Sequence, residues 1–259
     1  SAIVPHSPLL ISTIGKEHRD SLSQTLKAYT ELEQALYASQ PETIVMISPH
    51  AHMYPDAFSG NMHDKFVGVL KEFGDHGTTM EAGVDFLLLD HIHRSLREAQ
   101  IPFTLTSQPE LDYGFTVPLL LLTQKLKNWK LAPLAPSLLG PQAHYEGGRA
   151  LAQVIQSENR RVAVIASADL SHHANAKSPH GETPEGVIFD KSIRSAVLTR
   201  HHAELLGLDG NVREKADQCG YQPILMFMGM IEDLSGTVRE LCYEAPFGVG
   251  YLTAIFEQS

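Results

Sequence analysis

Hydrophobic and polar positions alternate along this chain with two periods, one typical of buried strands and one typical of amphipathic helices. Short apolar runs predict strands, and the clearest of them is Arg161–Ser167, which contains Val-Ala-Val-Ile-Ala. Between such runs, apolar residues recur at helical spacing, as they do in Lys16–Ser39. Strands that alternate with helices predict an α/β protein with a largely parallel sheet.

The remaining elements follow the same logic. The other predicted strands are Ala2–Pro5, Glu42–Ser48, Phe58–Asn61, Phe66–Leu70, Pro102–Ser107, Lys130–Leu134, Val238–Tyr243 and Gly248–Phe256. The other predicted helices are Thr79–Gln100, Val117–Lys127, Pro141–Gln156, Pro184–His202 and Gln222–Asp233. No linker or repeat interrupts this order. We therefore predict a single three-layer α/β domain over residues 1–259, with a central, mostly parallel (mixed) sheet covered by helices on both faces.

Charge and composition exclude several classes of function. The chain has 20 basic and 30 acidic residues, and a net charge of −10 does not attract nucleic acid or anionic membranes. Two cysteines argue against a disulfide scaffold and against a cysteine-based zinc site. No apolar stretch reaches the roughly 18 residues of a membrane span, and the first residues lack a basic n-region. A soluble cytoplasmic protein is expected.

The chain has 14 histidines, and a few of them follow predicted strands directly. These are His6, the pair His50 and His52, and His172 with its neighbour His173. Ligand sites in parallel sheets lie beyond the carboxyl ends of the strands, so these side chains are expected to converge. The other histidines lie in predicted helices or loops without a partner pattern and are interpreted as surface or structural residues.

A metal site would account for imidazoles at successive strand ends, and the candidate carboxylate ligand is Glu244, at the end of a late strand. Two histidines and one carboxylate form the face used by non-haem Fe(II) oxygenases. Zinc hydrolases use the same set, so the ligand types leave the metal open. The remaining alternative is a structural domain in which the histidines only cap strands.

Several short motifs occur in an order known from one family. They are PHSPLL, ISPHAH, LDYGFTVPL, SADLSHH, PEGVIFDKSI, CGYQPILMFMG and YEAPFGVGYL. Together they resemble the class III extradiol ring-cleavage dioxygenases, the LigB-type catalytic subunit superfamily. The closest similarity is to the Memo-like branch that is linked to the AmmeMemoRadiSam system. The resemblance spans nearly the whole chain and implies one LigB-type domain over residues 1–259.

The resemblance also implies roles for particular residues. His6, His50 and Glu244 match the metal ligands of the family, and His172 matches its acid–base histidine. The implied cofactor is Fe(II), with Zn(II) as the alternative. The implied reactants are a catechol-type aromatic and O2, and the implied assembly is a homodimer. In the implied reaction His172 takes a phenolic proton, a role that suits histidine because the unperturbed pKa of an imidazole lies near working pH.

Position 113 departs from the family pattern, because Tyr113 stands where the family commonly has a histidine in the active site. A tyrosine can hydrogen-bond to a substrate, but its pKa near 10 makes it a poor base. This weakens the case for ring cleavage without affecting the metal site. Two alternatives therefore stay open: a Memo-like metal-binding protein, or accessory factor of a radical-SAM-linked pathway, that is not a dioxygenase, and a zinc-dependent hydrolase on the same scaffold.

Overall fold

An 11-stranded mixed sheet forms the centre of the computed structural model, which describes all residues 1–259. The strands are β1 (Ala2–Val4), β2 (Thr43–Ile47), β3 (Phe58–Asn61), β4 (Lys65–Leu70), β5 (Asp75–Val84), β6 (Phe103–Thr106), β7 (Glu110–Leu111), β8 (Lys130–Ala135), β9 (Val162–Ser167), β10 (Gly236–Glu244) and β11 (Tyr251–Gln258). The order across the sheet is β10-β11-β1-β9-β2-β8-β5-β4-β7, and β3 pairs with both β8 and β6.

The middle of the sheet is parallel. β9 lies between β1 and β2, and β2 is also paired in parallel with β8, so that Met46 stands opposite Ile165 on one side and Pro133 on the other. Every residue of β2 is buried, which agrees with its continuous apolar sequence. At one edge, β10 and β11 pair antiparallel, as the two late apolar runs predict, and β11 pairs antiparallel with β1.

Helices cover both faces of this sheet. They are α1 (Ser12–Gly15), α2 (Ser23–Ser39), α3 (Phe86–Glu98), α4 (Tyr113–Leu122), α5 (Pro141–Gln156), α6 (Pro184–Thr199), α7 (His202–Leu206), α8 (Gly210–Lys215) and α9 (Tyr221–Ile231). The crossover from β1 through α2 to β2 and the one from β8 through α5 to β9 run in opposite directions across the sheet. Since such crossovers are right-handed, α2 and α5 lie on opposite faces. None of the helices combines the length and apolar character needed to cross a membrane.

On the α5 face, two glycines allow helices to approach closely. A Cβ atom on Gly148 of α5 would collide with the backbone carbonyl of Met226 in α9, and one on Gly229 of α9 would collide with the carbonyl of Tyr145. The backbones of the two helices are therefore in direct contact, a packing that only glycine permits at these positions. This contact fixes the carboxyl half of α9 against α5.

The predicted fold class, a mixed α/β sheet flanked by helices, is confirmed, but three predicted helices begin in the wrong place. Residues 16–22 of the predicted helix Lys16–Ser39 form a 3-10 helix, and α2 starts at Ser23. The other two corrections concern α3 and α4. Residues 79–84 of the predicted helix Thr79–Gln100 belong to β5, and α3 starts after Asp85, whose carboxylate accepts a hydrogen bond from the Leu88 amide at 3.1 Å. Likewise, α4 starts at Tyr113 instead of Val117, because Asp112 caps it. In both cases a side-chain cap sets the first turn.

Asp85 also provides a test of what holds the sheet to its helices. The carboxylate is fully buried, and its Oδ2 accepts a hydrogen bond at 2.7 Å from Nη1 of Arg160, next to β9. We expect Asp85→Ala to lower the free energy of unfolding by about 3 kcal/mol, because the variant loses a helix cap and the buried carboxylate that accepts from both Thr43 and Arg160. Urea unfolding measures this loss.

The matched control is Asp64→Ala, which removes an exposed carboxylate whose partners are the His63 ring and the adjacent Lys65 amide. That change should cost less than about 0.5 kcal/mol. Equal losses in the two variants would contradict the role assigned to Asp85.

Candidate metal centre

The candidate site lies at the carboxyl ends of three adjacent parallel strands. His6 follows β1, Ser167 is the last residue of β9, and His50 follows β2. Because these strands run side by side in the same direction, the residues after them meet at one edge of the sheet. The crossover helices α2 and α5 lie on opposite faces of the sheet here, so space for side chains is left between them at this edge.

The His6 ring is held in one tautomer. It is only 1% exposed, and its Nδ1 lies 2.8 Å from Oγ of Ser167. The Ser167 hydroxyl donates its own proton to the carbonyl of Gly114 at 2.6 Å. Ser167 must therefore accept from Nδ1–H of His6, which leaves the lone pair of Nε2 free. Metal-binding histidines typically have such a hydrogen-bond partner at the ring nitrogen that does not bind the metal, here Nδ1.

The second imidazole faces the first. Nε2 of His50 lies 3.0 Å from Nε2 of His6, and Nδ1 of His50 lies 3.3 Å from the hydroxyl of Tyr113. The Tyr113 ring also stacks on the His50 ring, with centroids 4.3 Å apart. Tyr113 thus lies in the site, at the first turn of α4, and positions His50 from both its ring and its hydroxyl.

Cys219 completes the group. Its Sγ lies 3.4 Å from Nε2 of His6, and the sulfur and the two Nε2 atoms of His6 and His50 all lie within 4.8 Å of one another. Cys219 comes just before α9, and a Cβ on the next residue, Gly220, would lie 2.6 Å from the carbonyl of Asp169. Glycine at that position lets the cysteine approach the strand ends.

Burial sets the protonation states of these three groups. It lowers the pKa of His6 to about 3, with a smaller contribution from the nearby His172. It lowers the pKa of His50 to about 4, with the His6 charge adding to the effect. Both imidazoles are therefore neutral, as metal ligands must be. Burial, reinforced by Asp169, raises the pKa of the Cys219 thiol, so a thiolate there requires a cation beside it.

The carboxylate beside the imidazole pair is that of Asp169. Its Oδ1 accepts a hydrogen bond from the His6 backbone amide at 2.8 Å, and its Oδ2 lies 3.8 Å from Nε2 of His6. Burial raises the pKa of this carboxyl. Asp169 therefore orients the chain at His6 and places a negative charge next to the group.

Glu244 is not where the sequence analysis expects it. Its Oε1 accepts a hydrogen bond at 2.8 Å from the backbone amide of Thr25, in the first turn of α2, and Glu244 does not join the group of His6, His50 and Cys219. The unpaired amides at a helix amino end attract a carboxylate strongly. A thiol, and not the Glu244 carboxylate, thus lies within 4.8 Å of the two imidazole nitrogens, and Glu244 as a metal ligand stays a prediction.

The other predicted residues lie around this centre. The His172 side chain is 39% exposed, its Nδ1 lies 3.9 Å from the carboxylate of Asp217, and it is near enough to affect the pKa values of His6 and His50. His173 turns away, with its Nδ1 2.7 Å from the carbonyl of Gly181. His52 packs edge-on against Tyr54. His52 and His173, for which the resemblance implies no role, thus lie outside the group of His6, His50 and Cys219.

The buried imidazole of His6 predicts a loss of stability in acid. Its folded-state pKa is about 3 against about 6.5 when unfolded, so between these values the unfolded chain binds a proton that the folded chain does not. Stability is therefore fully present near pH 7 and falls as the pH drops below about 6.5. For chelator-treated protein, we expect His6 alone to remove about 2 kcal/mol between pH 7 and pH 4.5.

Urea unfolding at the two pH values measures this effect in the wild type and in His6→Gln, which should lose correspondingly less. The exposed histidine His76 supplies a control, and His76→Gln should retain the wild-type pH dependence. An unchanged pH dependence in His6→Gln would mean that the imidazole is not held neutral.

The chain is similar to known proteins over nearly its whole length. A family model described as "Catalytic LigB subunit of aromatic ring-opening dioxygenase" matches residues 1–253. Protein CA_C1420 of Clostridium acetobutylicum is 24% identical over 258 residues, which is 96% of this chain and 55% of that protein. A MEMO1 family protein of Methanosarcina acetivorans is 24% identical over 183 residues, covering 67% of this chain and 59% of that protein. The chain thus spans less than two thirds of the length of either relative.

The fold has a counterpart among solved structures. The crystal structure of the uncharacterized protein JW3007 from Escherichia coli K12 matches with a TM-score of 0.65 at 18% identity, over 87% of this chain and 91% of that one. At this identity the likeness concerns the fold. The family model spans nearly the whole sequence, and MEMO1 family proteins are among its relatives, so the chain belongs to the LigB family and to its Memo-like branch.

Proposed function

We propose that this protein binds one thiophilic transition-metal ion, zinc or copper, through His6, His50 and Cys219. The observation that carries the proposal is the approach of two imidazole nitrogens and one sulfur to within 4.8 Å of one another. Three ligand atoms at this separation can close on a single ion with small side-chain movements, since metal–nitrogen and metal–sulfur bonds measure about 2.0–2.3 Å.

The donor set favours these metals over iron. Thiolate ligands select zinc and copper, whereas the Fe(II) oxygenase face requires a carboxylate as its third member. The carboxylate predicted for that position, Glu244, is engaged by α2. These residues therefore fit zinc or copper better than iron.

The surroundings of the group suit a divalent ion. The Cys219 thiolate and the Asp169 carboxylate together balance two positive charges, and both groups are largely shielded from solvent. The free lone pair on Nε2 of His6, secured by Ser167, points to where His50 and Cys219 meet. Without a cation, two imidazole nitrogens and a thiol face one another in a buried space, an arrangement that is costly to leave uncompensated.

Two further side chains can act on a bound molecule. A metal held by three protein ligands supplies a Lewis acid with an open position. The Tyr113 hydroxyl lies beside His50, and burial raises its pKa, so it remains a hydrogen-bond donor at neutral pH. His172 is half-exposed at the rim and can exchange a proton with solvent. We propose that Tyr113 orients the molecule at the metal and that His172 moves its proton.

The two cysteines of the chain allow a matched test of the metal centre. We expect elemental analysis to find about one zinc or copper per chain in the wild type. Cys219→Ala should weaken metal binding by roughly 100-fold, because it removes the anionic ligand. Cys242→Ala, which removes the other buried cysteine, should bind metal normally. Titration of the metal against a competing chelator measures both affinities.

The variant Glu244→Gln distinguishes a site in which Cys219 is the third metal ligand from one in which Glu244 is. The variant should retain the metal, because the carboxylate bonds to α2 and not to the metal group. If Glu244→Gln releases the metal while Cys219→Ala retains it, the thiol centre is refuted and the histidine–carboxylate set is restored.

Ring cleavage of a catechol-type aromatic with O2 is the second candidate function. The family description and the position of His172 favour it, whereas Tyr113 and the thiol do not. If the protein cleaves rings, Fe(II)-loaded wild type should consume oxygen with at least one member of a catechol panel. His172→Phe should retain the metal and lose at least about 100-fold in rate. His173→Phe is the matched control, and no oxygen uptake by the wild type would reject this candidate.

A further inference from the structure

A cavity of about 380 Å³ borders His50 but touches neither His6 nor Cys219. It lies between the end of β8, the paired strands β3 and β6, and the junction of β7 with α4. Its position beside the metal group, and not within it, makes it a separate site. A volume of this order matches pockets that bind small molecules of one or two rings.

The topology of the sheet explains why this space exists. The first residues of β8 pair with β5, whereas its last residues pair with β3, so two strands share the same edge of β8 at different heights. Beyond this branch, β3 continues with β6 and the chain returns through β7 to α4. The gap left at the branch is lined by Pro133, Leu134 and Ala135 of β8. The cavity therefore lies at a branch of the sheet, and the loops after β2 and β6 complete its wall.

The charges in the wall have one sign. Neither lysine nor arginine lines the cavity, whereas two carboxylates do, Glu110 and Asp112. They lie two residues apart on extended chain, and such a spacing places side chains on the same side. Without a basic residue to neutralise them, the two carboxylates make the cavity favourable to a cation.

Both carboxylates have unused hydrogen-bonding capacity. Oδ1 of Asp112 accepts from the Ser48 hydroxyl and from the amides of Gly114 and Phe115, but Oδ2 has no partner. Glu110 is exposed at the mouth of the cavity, and its carboxylate has no partner within the protein. Both carboxylates can therefore accept hydrogen bonds from an ammonium group without losing a partner within the protein, and such charge-assisted bonds are stronger than neutral ones.

The remaining wall suits the apolar part of a small amine. Tyr54 and Phe115 provide aromatic surface, and aromatic faces attract cations as well as rings. The Gln108 side chain and the Tyr54 hydroxyl lie in the wall without intramolecular hydrogen bonds and can bond to a polar substituent. We infer that this cavity binds a small aromatic molecule that carries a positively charged amine. The inference does not rest on the identity of the metal.

Three probes with the same ring and chain length test this inference by calorimetric titration: tyramine, the neutral alcohol tyrosol, and the anion 4-hydroxyphenylacetate. We expect tyramine to bind at least about tenfold more tightly than tyrosol, since a charge-assisted contact replaces a neutral one. The anion should bind more weakly still. No detectable tyramine binding, or an affinity no greater than that of the anion, would overturn the inference.

Variants then locate the probe. Glu110→Gln keeps the size of the side chain and should weaken tyramine binding about tenfold, whereas Glu98→Gln, at an exposed carboxylate of α3, should leave it unchanged. Cys219→Ala should change the tyramine affinity by less than about twofold. Loss of binding in Cys219→Ala, or an unchanged affinity in Glu110→Gln, would place the probe at the metal group and refute the cavity as its site.

Discussion

The candidate site depends on one hydrogen-bonded chain, from the Gly114 carbonyl through the Ser167 hydroxyl to Nδ1 of His6. This chain exists because β1 and β9 are parallel neighbours whose last residues lie side by side. It fixes the direction of one lone pair in a region that excludes water. The positions of His50 and Cys219 have chemical meaning only relative to that lone pair, since both approach the same nitrogen.

The ends of two helices bind nearby carboxylates, and this determines which anionic groups remain beside the two histidines. α2 draws Glu244 to its amino end, and Asp112 caps α4, so neither carboxylate is available to the group. Asp169 bonds to the His6 amide and remains close enough to supply charge without joining the group. Cys219 is left as the anionic ligand that the fold can offer. The character of the centre thus follows from which carboxylates the helices have already engaged.

The sequence was sufficient to predict that His6 and His50 meet, because parallel strands in a βαβ order bring their carboxyl ends together whatever the remaining details. It also placed Tyr113 and His172 near them. Cys219 was missed, although it lies in a conspicuous apolar motif, because two cysteines in a long chain argue against a metal site. The diversion of Glu244 depends on the packing of α2 against the end of β10, which no local pattern records. The end of β5 was mistaken for helix because its pairing with β4 is a tertiary contact.

The metal group and the adjacent cavity share a wall, and that wall is His50. Its Nε2 faces His6, while the residue itself borders the cavity beside Asp112. Asp112 holds the Ser48 hydroxyl two residues before His50 and also caps the helix that begins with Tyr113. One carboxylate therefore holds both of the elements that position the His50 ring, the loop after β2 and the stacked tyrosine at the start of α4. The position of His50 in the metal group and in the cavity wall thus depends on the same helix cap, although the two spaces have different linings.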